Sequence, residues 1–219
     1  MNKNFGVLLT VFAASIAVIA ILFYGTFRTG KELPPRQTTT TTQTTTTIDP
    51  TVLGTLPIIE GLGLPTLDSS STVSTVGIDQ ITFGMTITEA QQAAGTRFLP
   101  ITPRGECFLA IPENAPNGIT FWIVESTIER VDINTSVITT RSGAGVGKSE
   151  EQILNMFGER IEIQQLPNRT GNLLIYVPQD KSDRKFRVVF ESDGEKIIRF
   201  WSGRLPWTEW LEKCKSKDQ

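Results

Sequence analysis

The sequence predicts an α+β domain. Two tandem helix–β-β-β repeats would form one antiparallel sheet with both helices packed on one face, preceded by one transmembrane helix and a disordered linker. Three observations predict it. A helix-capping motif occurs twice, as FGMTITEAQQAAG at 83–95 and VGKSEEQILNMFG at 146–158. A strand–turn–strand pattern follows each copy, as ITFWIVESTIERVDI at 119–133 and FRVVFESDGEKIIRF at 186–200. An uncharged apolar run opens the chain, and a Thr-rich stretch separates it from the rest.

The apolar run, residues 5–24, is long enough as a helix to span roughly 30 Å of hydrocarbon. It continues to Tyr24 without the small-residue cleavage site of a secretory signal, so an uncleaved anchor within 1–29 is expected. No cysteine lies at its end to take a lipid. Counted strictly, Lys3 against Arg28, Lys31 and Arg36 would place the C-terminal part in the cytoplasm. The Thr-rich stalk and the widely separated cysteine pair favour the outside. The expectation is a single-pass protein of the cell membrane with its C-terminal domain outside the cytoplasm.

Residues 30–76 are dominated by Thr, Ser, Pro and Gly and lack a periodic apolar face. Such a segment buries too little surface to offset its ordering entropy. As a flexible chain of about 45 residues it would reach roughly 37 Å, and further if the Thr run were O-glycosylated.

The first repeat is assigned to 77–141 and the second, with a C-terminal tail, to 142–219. Gly84 and Gly147 are 63 residues apart, as are Gly95 and Gly158. Thr86 and Ser149 sit where a hydroxyl caps a helix, and Glu89 and Gln152 follow at capping-box spacing. Gly95 and Gly158 are expected as left-handed C-caps. Strands are expected at 107–111, 160–166 and 172–177 besides the two strand–turn–strand segments. Ser192-Asp193-Gly194 is a strong hairpin turn.

These residues resemble the repeat of β-lactamase inhibitory proteins and of the small outer-membrane-assembly lipoproteins related to SmpA. The resemblance rests on GMTITEAQQAAG and GKSEEQILNMFG, each with a late hairpin. The chain also resembles a set of extracytoplasmic actinobacterial proteins. There the shared residues are Gly84 to Gly95, Cys107, Arg130-Val131-Asp132, Thr140 to Gly147, Tyr176 to Asp180, Phe190 to Gly194 and Gly203 to Cys214. The resemblance implies the fold and a protein-binding role.

Composition narrows the chemistry. A formal net charge of −2 gives no reason to expect nucleic acid as a partner. The chain has no His, the commonest general base and metal ligand. No catalytic residue, cofactor-binding residue or metal ligand is assigned, and the chain is read as a non-enzyme. The stretch SGAGVGKSEEQIL at 142–154 looks like a phosphate-binding loop, but Ser142 stands where the pattern requires the first glycine. The repeat explains Gly147 and Ser149 as the start of a capped helix, so no nucleotide is expected.

Cys107 and Cys214 are expected to form a disulfide, the alternative being two buried free thiols. The tail RFWSGRLPWTEWLEKC holds Trp201, Arg204, Trp207 and Trp210, residue types favoured at binding hot spots. They are the candidate partner-binding residues; the alternative is that they pack the tail onto the sheet. The reading is an envelope-interaction module whose partner is a protein or a cell-wall component. The alternatives are an enzyme acting on a wall polymer and a structural envelope assembly factor.

Overall fold

The segments 107–133 and 186–204 are rich in β-branched and aromatic residues and form the middle of a long antiparallel sheet. The computed structural model describes residues 56, 59–167, 169–211 and 214. All lie within a unit spanning Thr46–Gln219. The apolar run at 5–24 is outside the described residues; among those described, no helix is long and apolar enough to cross a membrane.

The described residues form two sheets and two α-helices. The smaller sheet has four short strands: β1 (Thr72–Ser74), β2 (Gly77–Ile78), β3 (Ile81–Thr82) and β8 (Thr139–Thr140). Its order is β3-β2-β1-β8, with β1 and β8 parallel. The larger sheet contains β4 (Phe98–Pro100), β5 (Cys107–Pro112), β6 (Ile119–Val124), β7 (Thr127–Ile133), β9 (Ile161–Gln165), β10 (Asn172–Tyr176), β11 (Phe186–Ser192) and β12 (Ile197–Arg204). Its order is β4-β5-β6-β7-β12-β11-β10-β9. The two halves meet at β7 and β12, where Trp201 pairs with Asp132 and Gly203 with Arg130.

This corrects the α+β expectation of helix–β-β-β repeats. The described residues are mostly β, and their α-helices, α1 (Ile87–Ala94) and α2 (Glu150–Phe157), have eight residues each. Four strands of the large sheet follow each helix, not three, and a second sheet stands beside them. Strands of two or three residues are too short to show alternation, so sequence periodicity could not reveal the smaller sheet.

The helix starts follow their local chemistry. Thr86 accepts from the Glu89 amide while the Glu89 carboxylate accepts from the Thr86 amide, and Ser149 and Gln152 do the same for α2. The bonds from the Thr86 backbone and hydroxyl hold the Glu89 carboxyl below its ordinary pKa. A lowered carboxyl favours the folded state above the ordinary carboxylate range, and that contribution fades as pH falls through the lowered value. Gly95 is the left-handed cap expected of it, with φ 61° and ψ 20°. Gly158 is not: its ψ is −135°, and the chain continues into a 3-10 turn at Gly158–Arg160.

Part of the segment read as linker belongs to the fold. The Thr66 amide and hydroxyl donate to the carbonyls of Ala94 and Ala93, each at 2.9 Å. They satisfy orphan acceptors at the end of α1. Leu67 is buried, and β1 begins at Thr72. One apolar core joins the helices and the smaller sheet to one face of the larger sheet, from Val73, Ile78 and Ile153 to Phe121, Phe190 and Phe200.

A Cβ on Gly95 would fall on the Leu64 carbonyl oxygen, and its φ disfavours a side chain. Gly95→Ala is therefore expected to lower stability by about 2 kcal/mol or more. Gly63→Ala, where the surrounding space is open, should stay within about 0.5 kcal/mol. Thermal unfolding of the two variants checks this.

Candidate functional site

The opposite face of the larger sheet has its own small core, built on Leu166, Leu173, Val189 and Trp201. Trp122, Arg130 and Asp132 stand beside it on β6 and β7. Arg130 has no solvent exposure. Its guanidinium lies 4.3 Å from the Trp122 ring centroid and 4.4 Å from that of Trp201. Nε donates to Asp132 Oδ1 at 2.5 Å and Nη2 to Oδ2 at 3.1 Å. Nη1 donates to the carbonyls of Trp207 at 3.0 Å and Trp210 at 2.6 Å. Burial pushes the guanidinium pKa down, and the Asp132 carboxylate opposes that shift.

Those two carbonyls belong to the chain after β12. Pro206 precedes a 3-10 turn at Trp207–Glu209, which leads through Trp210 and Leu211 to Cys214. Trp201 Nε1 donates to the Thr208 carbonyl at 2.9 Å and Arg199 Nη2 to the Leu211 carbonyl at 3.2 Å. Arg199 is itself paired with the buried Glu191, which also meets Arg169. Cys214 forms a disulfide with Cys107 on β5, their Cα atoms 5.5 Å apart. The C-terminal segment is thus a strap tied to β12, β7 and β5 on this face.

The strap presents two indoles. Trp207 and Trp210 meet edge to face, with centroids 4.8 Å apart, and both are partly exposed. Beside Trp207 lies a cleft of about 280 Å³ walled by Val124, Glu125, Thr127, Glu129, Arg204 and Leu205. Arg204 Nη1 bonds Glu129 Oε1 at 2.9 Å, and Thr127 Oγ1 bonds the same carboxylate at 2.8 Å. Arg204 also borders a second polar cleft of about 530 Å³ with Gly84, Met85, Glu89 and Lys185.

The predicted site residues separate into two groups. Arg204, Trp207 and Trp210 come together at the surface. Trp201 does not join them: it is fully buried and anchors the strap from below. Arg130, Asp132 and Trp122 were not singled out as site residues. The signal was Arg130-Val131-Asp132, since opposite charges two apart on a strand share a face.

The stretch at 142–154 uses its amides internally. The Gly143 and Gly147 N–H groups donate to the carbonyls of Thr140 and Ile197, each at 2.8 Å, and the Ala144 N–H donates to Thr140 Oγ1 at 3.0 Å. A phosphate cradle needs such amides directed at the ligand. Among the described residues, no group of three or more Cys, Asp or Glu side chains is arranged to hold a metal ion.

No family model and no curated protein matches the chain. Two solved structures are similar to it. The uncharacterized protein yfeY from Escherichia coli is 16% identical; the match covers 61% of this chain and 99% of that one, with a TM-score of 0.40. A DUF4309 family protein, YjgB from Bacillus subtilis, is 12% identical over 62% of this chain and 89% of that one, with a TM-score of 0.38.

Arg130→Met would leave Asp132 with the Trp122 indole N–H but without the guanidinium, and would remove the Arg130 donor from two strap carbonyls. It is expected to destabilise the domain by about 3–5 kcal/mol. Hydrogen exchange at 205–211 should rise above that of the large sheet. Cys107→Ser is expected to cost less than the loop-entropy limit of about 4.7 kcal/mol, because Arg130 and Trp201 still hold the strap. Denaturant unfolding of the two variants, read by tryptophan fluorescence, tests both.

Proposed function

We propose that the chain is a membrane-anchored, extracytoplasmic binding module whose partner is a protein or a cell-wall component. The observation that carries this reading is the Trp207–Trp210 pair. Both indoles are partly exposed, while their backbone carbonyls are locked onto the buried Arg130. An aromatic pair fixed in advance loses little freedom when a partner covers it, which favours affinity. The neighbouring Arg204–Glu129 cleft supplies a polar rim. The Cys107–Cys214 disulfide suits an oxidising compartment, in keeping with the apolar run at 5–24 and the Thr-rich stretch after it.

The enzyme reading has less support. Glu125 and Glu129 share one cleft, but Glu129 is already bound by Arg204 and Thr127.

The test is in-cell photocrosslinking of the full chain from positions 207 and 210, with mass-spectrometric identification of the captured species. A reproducible protein or glycan is expected. Trp207→Ala and Trp210→Ala should each weaken its binding by roughly 2 kcal/mol or more. Unchanged affinity in both variants would sink the proposal.

A further inference from the structure

The larger sheet ends in two edge strands that are built differently. β4 has three residues and includes Pro100, which offers no N–H. β9 reads Ile161-Glu162-Ile163-Gln164-Gln165, without proline or lysine. Its last four residues are exposed, Ile163 at 56%. β4 thus carries two of the devices that usually protect an edge, short length and a proline, while β9 carries a single charge, Glu162.

The ladder shows which groups of β9 face outward. Leu166 donates to Gly171 and the Arg160 carbonyl accepts from Val177, so the even-numbered residues are bonded to β10. Bonding alternates along an antiparallel strand. The N–H and C=O groups of Ile161, Ile163 and Gln165 therefore point away from the sheet.

We infer that β9 pairs with β9 of a second copy of this chain, antiparallel about Ile163, joining two large sheets edge to edge. The strand is self-complementary in this register. Ile163 faces Ile163 of the second copy, Ile161 faces Gln165, and Glu162 faces Gln164. Three outward residues per copy supply about six ladder bonds. Registers on either side are worse. Moving the centre to residue 162 sets Glu162 against Glu162, a like-charge pair. Moving it to residue 164 sets Ile161 against Pro167, which has no N–H. Pairing β9 with β4 would meet Pro100 and leave an open-ended chain of molecules. The β9 pairing does not rest on the proposed function: it uses the outward backbone groups of β9, not the indoles of the strap.

The test places a single cysteine in the full chain, kept in a non-ionic detergent. The two native cysteines are bonded to each other, so the new thiol reports alone. Cα atoms of a bonded antiparallel pair lie about 5.5 Å apart, within disulfide reach. Ile163→Cys is expected to give covalent dimers on mild oxidation. Gln165→Cys sits four residues from its own copy, roughly 13 Å, and should give about tenfold less. Equal yields at the two positions, or no dimer from Ile163→Cys, would overturn the inference. Ile163→Lys places like charges opposite each other on an exposed site, and should weaken association about tenfold by analytical ultracentrifugation without unfolding the chain. Unchanged association would also overturn it.

Discussion

Arg130 places a positive charge where no water reaches it, and its surroundings follow from the need to compensate that charge. Desolvating such an ion costs several kcal/mol even after relaxation. Asp132 returns part of this through a two-pronged contact. Two indole faces contribute up to about 2 kcal/mol each in a desolvated setting. The remaining donor needs an acceptor, and the strap carbonyls of Trp207 and Trp210 provide it. The residue opposite Arg130 on β12 is Gly203, and a Cβ there would come within 2.8 Å of the Arg130 Cβ. Glycine lets the two half-sheets approach closely where the guanidinium is enclosed.

The same arrangement explains why the tail stays folded with so little apolar surface. Its contacts with the small core run through Leu211 and the indole of Trp201. Its backbone acceptors at 207, 208, 210 and 211 are each met by a donor from the sheet. Buried or half-buried carbonyls without donors would favour release of the segment into water. The strap is therefore held mainly by directional bonds, and such bonds fix the orientation of side chains more tightly than apolar contact does. Trp207 and Trp210 inherit that fixed orientation.

What could be read from the sequence was chemistry acting within a few residues. Thr86 with Glu89 and Ser149 with Gln152 are local instructions, and both helices obey them. Ser192-Asp193-Gly194 also acts locally: the Asp193 carboxylate accepts from the Glu195 and Lys196 amides and closes the turn. The Cys107–Cys214 bond was legible because the chain has only two cysteines. Pairings between distant segments were not legible. β1 and β8 are parallel neighbours across more than sixty residues, and neither is long enough to signal a strand alone. Trp201 looked like its neighbours in the tail, but its place on β12 turns it into the sheet. Gly158 resembled Gly95, yet among the described residues no segment docks behind it as Leu64 does behind Gly95.

The positions of the strap's ties also bear on how it resists fraying. Trp207 and Trp210 are bound to Arg130, Leu211 is bound to Arg199, and Cys214 is bound covalently to β5. A segment held at one end only opens from its other end inward. The covalent tie at Cys214 and β12 bracket the strap on both sides, so its directional bonds can be released only from within. Releasing the carbonyls of Trp207 and Trp210 leaves Arg130 with its charge only partly met, which is costly. The disulfide and the buried arginine thus reinforce each other: one removes the easy path for release, and the other raises the cost of the path that remains.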